Sequence, residues 1–231
     1  MCGPPITRFA NPVWYALQTK HRQLALVAGH ACRYPPDVAP FAGVASITAE
    51  SLKQLRSLLA PGEYVWLFGT DFPQTMGLAF HETLECLQMV LPEEVAPLEP
   101  TTRIVPLSEE DAPEMVALTD LTFPGFFRSR TCRMGSYFGV RSSNGELIAL
   151  GGERILLDGY PEISAICTIP EHRGKGLAAS IIWELARKHR REGSMSWLHV
   201  SSANYRAITL YLRLGFKLIQ SVTLTRISRT E

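Results

Sequence analysis

The segment Arg173-Gly174-Lys175-Gly176-Leu177-Ala178 constrains the chain more than any other. It follows an apolar, strand-like run that ends at Ile169 and Pro170. It opens a stripe in which Leu177, Ile181 and Leu185 recur every four residues, with Ala178 and Ile182 beside them. Glycines at such a strand-to-helix junction let an anion approach the backbone. The free N–H groups and the positive dipole end of the helix then bind its oxygens. Arg173 and Lys175 add charge-assisted contacts, so a diphosphate is the group this segment suits best.

The surrounding pattern predicts an α/β (α+β) unit. Residues 103–107 read as a short strand, and Ser108 with Asp111 three residues on is a capping-box variant for a helix reaching about Leu121. After an arginine-bearing loop, residues 122–135, three strand-like runs cover 137–141, 147–157 and 160–169. They are joined by Asn144-Gly145 and Asp158-Gly159, dipeptides suited to tight hairpin turns. A helix from about Gly174, closed by Gly193, is followed by a strand at 197–201. Ala207, Leu210, Tyr211 and Leu214 then mark a helix ended by Gly215, and residues 216–226 supply the final strand or strands.

The stretch 91–106 holds Pro92, Pro97, Pro100 and Pro106 among acidic and small residues and reads as an inter-domain connection, which divides the chain into 1–100 and 101–231. In the first part Asn11-Pro12 opens a helix expected to reach about Ala28, with Gly29 as its stop. A second helix is expected over 48–59, ending at Pro61-Gly62, and short buried strands over 64–68 and 86–91. This part carries no repeat and no catalytic motif. The chain's formal charge of +1 conceals an asymmetry of −3 before residue 100 and +4 after it, which places an anionic ligand in the second part. The excess is too small and too mixed in sign for a nucleic-acid partner. No apolar run approaches the roughly 18–20 residues of a membrane span. The scattered cysteines Cys2, Cys32, Cys86, Cys132 and Cys167 give neither a disulfide framework nor a cysteine zinc site. A cytoplasmic protein is expected.

Three phosphate-binding readings compete for the glycine segment. A P-loop requires G-x-x-x-x-G-K-[ST], and the spacing fails it. Residues 174–179 match G-x-G-x-x-A, but a dinucleotide fold also wants an acidic residue at the end of the next strand, which here reads Val200-Ser201-Ser202. The third pattern is R-x-x-G-x-A, and with it the chain resembles the GNAT superfamily of acyl-CoA-dependent N-acetyltransferases, whose [QR]-x-x-G-x-[GA] signature cradles the coenzyme A pyrophosphate. Residues 204–216, Asn204 through Ala207, Leu210, Tyr211, Gly215 and Phe216, match that family's N-x-x-A-x-x-[LF]-Y-x-x-x-G-F closing segment. Gly151-Gly152-Glu153-Arg154 and Glu162-Ile163-Ser164 are similar to the branch that includes the glycine N-acyltransferase C-terminal domain. In that branch a degenerate GNAT-like half precedes the active one. The similarity covers roughly 102–226.

The resemblance implies a GNAT-type mixed, mainly antiparallel sheet with flanking helices, preceded by a smaller degenerate GNAT-like α/β domain. It implies acetyl transfer from acetyl-CoA to a small amine or peptide amine by direct attack, without a metal, in a chain that could pair as a homodimer. Cys167, Thr168 and Ile169 would bind the pantetheine arm, with main-chain groups of Cys167 and Ile169 left unpaired for it. Arg173, Gly174, Lys175, Gly176, Leu177 and Ala178 would hold the pyrophosphate, and Asn204 would contact the cofactor arm as well as cap its helix. Tyr211 is the expected general acid for the departing thiolate, set against a core tyrosine. Glu162 is the first candidate for the base, Glu153 and His199 the others; either glutamate could instead pair with Arg154 or Arg141. Arg128, Arg130 and Arg133 could recognise a substrate carboxylate, while residues 187–191 read as a solvated basic helix end. The alternatives are a non-catalytic acyl-CoA-binding regulatory module and, more distantly, a Rossmann-type redox enzyme.

Overall fold

The computed structural model describes residues 6–230, so Cys2 lies outside the described residues. Helices α1 (Ile6–Ala10) and α2 (Pro12–Gln18) open the chain, followed by β1 (Leu26–Ala28), β2 (Ala31–Arg33), β3 (Phe41–Val44), α3 (Ala49–Ser57), β4 (Tyr64–Phe68) and β5 (Leu78–Val90). Then come β6 (Val105–Leu107), α4 (Ala112–Asp120), β7 (Tyr137–Arg141), β8 (Leu147–Leu157), β9 (Tyr160–Thr168), α5 (Leu177–Arg191), β10 (Trp197–Ser201), α6 (Tyr205–Arg213) and β11 (Lys217–Arg229). From β6 onward the order is the one the sequence predicts.

The strands form one sheet in the order β1-β2-β3-β4-β11-β5-β10-β9-β8-β7-β6. Among the described residues only the β3–β4 and β9–β10 pairs are parallel. Strands from residues 1–100 and 101–231 interleave, since β11 lies between β4 and β5, and β5 lies between β11 and β10. This explains why β5 runs over Leu78–Val90 where the sequence suggests only 86–91. Its hydrogen-bonding edges are paired with β11 from Leu78 to Val90 and with β10 from Cys86 to Val90, so polar residues such as Thr83 and Glu85 are held in the ladder.

Local signals account for most element ends. Thr48 Oγ1 accepts from the Ser51 N–H at the start of α3, and Ser108 and Asp111 form a reciprocal capping box ahead of α4. Gly145 and Gly159 take the positive φ their hairpins require, +84° and +75°. The exception is α2, which ends at Gln18 rather than near Ala28, because residues 26–28 pair with 31–33 as a hairpin. Asn11 stands at the cap position, but its amide donates to Val44 O at 2.7 Å and fastens α2 to β3.

Two apolar layers sandwich the sheet. On one face α5 and α6 bury Ile181, Leu185 and Tyr211 against Leu198, Val200 and Met89. On the other, Phe9, Val13 and Leu17 pack with Phe41, Trp66, Phe68 and Trp197. The basic run at the end of α5 is more than a solvated helix end. His189 is buried against Ser196 and Glu153, Lys188 bonds Glu153 at 2.7 Å, and Arg190 holds the carbonyls of Glu93 and Val95. With Arg187 paired to Glu99, this run fastens the proline-rich connection onto α5.

Candidate active site

The site begins where β9 and β10 part. They share one register pair, Trp197↔Glu162; beyond it β10 pairs only with β5, while β9 continues to Thr168 alongside β8. A bulge between Ser164 and Cys167, with Ala165 at φ +56°, bends β9 within this open stretch. A left-handed alanine costs roughly 1–2 kcal/mol, so the packing around β9 holds a bend that the residue itself disfavours.

The ladder fixes which backbone groups face the opening. Ile169 N–H donates to Ile148 O at 3.0 Å, and Cys167 stands opposite Leu150, two residues along each strand. The main-chain groups of Cys167 and Ile169 therefore turn towards β8, contrary to the expectation that they are free. Alternation turns those of Thr168 into the cleft, where its carbonyl accepts from Arg173 Nε at 3.0 Å. The Cys167 thiol is pushed up to about 12 by burial, which keeps it protonated and poorly nucleophilic.

Past β9 the chain makes a 3₁₀ turn, Pro170–His172, and then the glycine segment. Gly174 and Gly176 adopt φ +78° and +79°, and α5 starts at Leu177, with no side chain capping its first turn. The leading amides of this 15-residue helix are therefore available to an anion. A cavity of about 690 Å³ lies in front of them. It gathers Cys167, Thr168, Arg173, Gly174, Gly176, Leu177 and Ala178 on one side and Asn204 and Tyr211 on the other. Ile169 and Lys175 are not on its wall. Asn204 Oδ1 accepts from Ala207 N–H at 3.1 Å, so its capping role is present and its amide nitrogen is left over. Tyr211 is 8% exposed, and burial, aided by the Glu162 charge, pushes its phenol up to about 12. It is a proton donor at neutral pH rather than a base.

Glu162 does not line this cavity. It is fully buried on the opposite face, where Oε1 accepts from Arg154 Nη2 at 2.6 Å and His199 Nδ1 at 2.7 Å. Oε2 accepts from Arg154 Nε at 3.0 Å and Ile155 N–H at 3.1 Å. Burial opposes its ionisation, but the Arg154 and His199 partners outweigh that and hold the carboxyl well below its usual range. With every acceptor position filled, Glu162 is an orienting anion, and the expectation of a direct base is corrected accordingly. Glu153 is likewise engaged, with Lys188, His189 and the Ser136 N–H, and these bonds lower it to about 2 against the cost of burial.

His199 completes a polar chain that sequence reasoning missed. Its Nδ1 meets Glu162, and its Nε2 lies 2.7 Å from Gln88 Nε2, which also donates to Phe9 O at 2.8 Å; Gln220 Nε2 donates to Gln88 Oε1 at 2.8 Å. Because the Phe9 carbonyl can only accept, Gln88 presents an N–H to His199. That ring is then neutral, protonated at Nδ1, with its lone pair on Nε2. Burial lowers the His199 pKa in the same sense. The loop arginines are mostly committed, Arg130 to Asp37 at 2.9 Å and Arg133 to Glu109 at 2.6 Å, while Arg128 reaches the Tyr64 hydroxyl at 3.1 Å. Among the described residues no group of three or more His, Cys, Asp or Glu is placed to hold a metal, and no helix is long and apolar enough to cross a membrane.

The parallel pair thus splays beside a glycine-lined, uncapped helix start, with the cavity in front of it. The family profile described as FR47-like protein matches residues 137–224. A crystal structure from Novosphingobium aromaticivorans DSM 12444, described as a GNAT-family acetyltransferase, is 33% identical; the alignment covers 96% of this chain and 99% of that one, with a TM-score of 0.87. A GCN5-related N-acetyltransferase from Kribbella flavida shares the fold at 17% identity, covering 94% and 96% of the two chains with a TM-score of 0.60. A GNAT-family acetyltransferase from Colwellia psychrerythraea matches at 16% identity over 87% and 81%, with a TM-score of 0.52. No curated protein sequence matches the chain. The chain belongs to the GNAT family and is an acyl-CoA-dependent N-acetyltransferase.

Proposed function

We propose that the chain moves an acetyl group from acetyl-CoA to the primary amine of a small molecule or peptide, by direct attack while both are bound. The observation that carries this is the divergence of β9 and β10 after the Trp197↔Glu162 pair, beside a cavity lined by both the uncapped start of α5 and Tyr211. The residues present fit the cosubstrate. Amides at Leu177 and Ala178 face the pyrophosphate, the backbone of Thr168 pairs with the pantetheine arm, and the Asn204 amide nitrogen donates to it. Bound acetyl-CoA supplies an activated thioester.

The chain's own groups position and protonate. Tyr211 Oη, kept protonated by burial, gives its proton to the departing sulfur. Glu162 holds His199 as the Nδ1–H tautomer, leaving Nε2 to take the acceptor's proton through water once Gln88 yields. Residues 1–100 act as a degenerate companion unit that contributes Gln88 and the Phe9 carbonyl to this network.

Isothermal titration with acetyl-CoA and, separately, NADH, followed by thiol release against a panel of primary amines, tests the reading. Acetyl-CoA binding with amine-dependent thiol release is expected. Binding without turnover on any amine points to a regulatory module, and failure to bind acetyl-CoA refutes the proposal.

A further inference from the structure

We propose that the side-chain amides of Gln88 and Gln220 turn over together when His199 takes up a proton, with the Phe9 carbonyl as the latch that opposes the turn. Gln88 is then a positioning residue that sets the pH at which His199 can act. The proposal rests on the assignment, made above, of His199 as the group that takes the acceptor's proton.

Three strands put the participants in one row. His199 on β10 stands directly opposite Gln88 on β5, and Gln88 directly opposite Gln220 on β11. The second pairing depends on a bulge: Leu218 pairs with Met89, Ile219 is skipped, and Gln220 takes the place beside Gln88. A regular strand would put Ile219 there, so the extra residue re-aims β11 and brings an amide into the row. Gln88 is fully buried and the His199 side chain is 5% exposed, so bulk water does not replace a bond lost between them.

In the neutral arrangement every contact joins a donor to an acceptor. Both hydrogens of the Gln88 amide are used, one on Phe9 O at 2.8 Å and one on His199 Nε2 at 2.7 Å, and its oxygen accepts from Gln220 Nε2 at 2.8 Å. A proton arriving on Nε2 makes the imidazole a donor on both sides, towards Glu162 and towards the Gln88 N–H. Two donors then face each other at hydrogen-bond distance. Turning the Gln88 amide over gives His199 an acceptor, but it aims an N–H at Gln220 Nε2, so the second amide has to turn as well. Gln220 is free to do so: it is partly exposed, and its oxygen has no partner among the described residues, so water takes either end. The cost falls on the Phe9 carbonyl, which exchanges its N–H donor for the Gln88 oxygen.

The groups around His199 divide between the two states. Burial, the Arg154 guanidinium on β8 and the Phe9 latch on α1 oppose the imidazolium, and Glu162 on β9 favours it. The rings of Phe68 on β4 and Trp197 on β10 pack against the imidazole and carry no titrating charge. His199 is therefore a neutral base until the pH falls below its own pKa, and any change that favours the turned amides raises that pKa.

NMR on the full chain, labelled with nitrogen-15 and carbon-13 at histidine, glutamine and phenylalanine and titrated from neutral pH into acid, tests the coupled turn. At neutral pH His199 should be the Nδ1–H tautomer, with a scalar coupling across the Gln88 Nε2–H···Nε2 bond. On acidification that coupling should vanish, and the Gln88 and Gln220 amide signals and the Phe9 carbonyl signal should move with the midpoint of the His199 ring. Gln220→Glu, which puts an acceptor-only group opposite Gln88, should raise the midpoint by about one to two pH units, the scale of one charge-assisted bond, and carry the Gln88 and Phe9 transitions with it. Gln220 or Phe9 signals that ignore the His199 midpoint in the wild type overturn the proposal, whether or not the variant folds. So does a Gln220→Glu midpoint that is unchanged, or one that moves while the Gln88 and Phe9 transitions stay behind. Thiol release from acetyl-CoA with the best amine of the panel above tests the underlying assignment: the acid limb of kcat/KM should move with the His199 midpoint in Gln220→Glu. A limb that stays while the midpoint moves refutes His199 as the proton acceptor, and with it the control of turnover proposed for Gln88.

Discussion

Replacing Glu162 by glutamine tests whether that carboxylate is an orienting anion or a spare base. All four of its partners are donors: Arg154 Nη2 and His199 Nδ1 at Oε1, Arg154 Nε and Ile155 N–H at Oε2. A glutamine has one oxygen and one NH2 group. Whichever way its amide turns, an N–H faces an N–H of Arg154, and the guanidinium loses its counter-charge. Breaking a buried pair by removing one partner costs about 3–5 kcal/mol, a large part of the roughly 5–15 kcal/mol that holds a domain folded. The pH dependence has a definite sign. The folded-state pKa is depressed, so the stabilisation is fully present above the ordinary carboxyl value of 4.5 and is lost as pH falls towards about 2. Urea unfolding followed by tryptophan fluorescence should place Glu162→Gln at least about 3 kcal/mol below the wild type at pH 7. The gap should narrow between pH 5 and pH 3. Adding Arg154→Met should recover part of the loss, because the unpaired guanidinium is then gone. A variant within about 1 kcal/mol of the wild type at pH 7, or a gap unchanged in acid, would refute this account of Glu162.

Three further outcomes follow from the site and the sheet. Tyr211→Phe is expected to lower turnover about a hundredfold while leaving the acetyl-CoA dissociation constant within about twofold, and unchanged turnover removes Tyr211 as the acid. Gly176→Ala meets nothing closer than Thr101 Oγ1 at 3.9 Å, so its cost is the left-handed backbone alone, about 1–2 kcal/mol. A melting temperature lowered by several degrees, with weaker acetyl-CoA binding, is the expected result, and an unshifted melting temperature contradicts it. A fragment of residues 101–231 lacks β5, the partner of both β10 and β11, and should fail to give a cooperative unfolding transition; a well-folded fragment would show that the interleaved strands are not required.

What the sequence reveals here is what is local. The Ser108–Asp111 box, the Asn144-Gly145 and Asp158-Gly159 turns and the four-residue period of α5 each join residues only a few positions apart, and each is found where the pattern puts it. The backbone of the glycine segment is legible for the same reason, because a positive φ at Gly174 and Gly176 is a short-range property that glycine supplies. The helix expected to run to Ala28 fails where a longer-range pairing, β1 on β2, overrides an apolar pattern that suits either state. The placement of β5 has no local trace, since nothing near Cys86 announces that Ser201 and Val222 will flank it. The same holds for the polar chain through Glu162, His199, Gln88 and Gln220. Each looks, in its own strand, like an isolated polar residue, and burying any one alone would be costly. Only the order β9-β10-β5-β11 sets them side by side, so that each satisfies the next. Since Gln88 and Phe9 lie in the first hundred residues, the part of the chain without a catalytic motif nevertheless fixes the tautomer of His199 on β10.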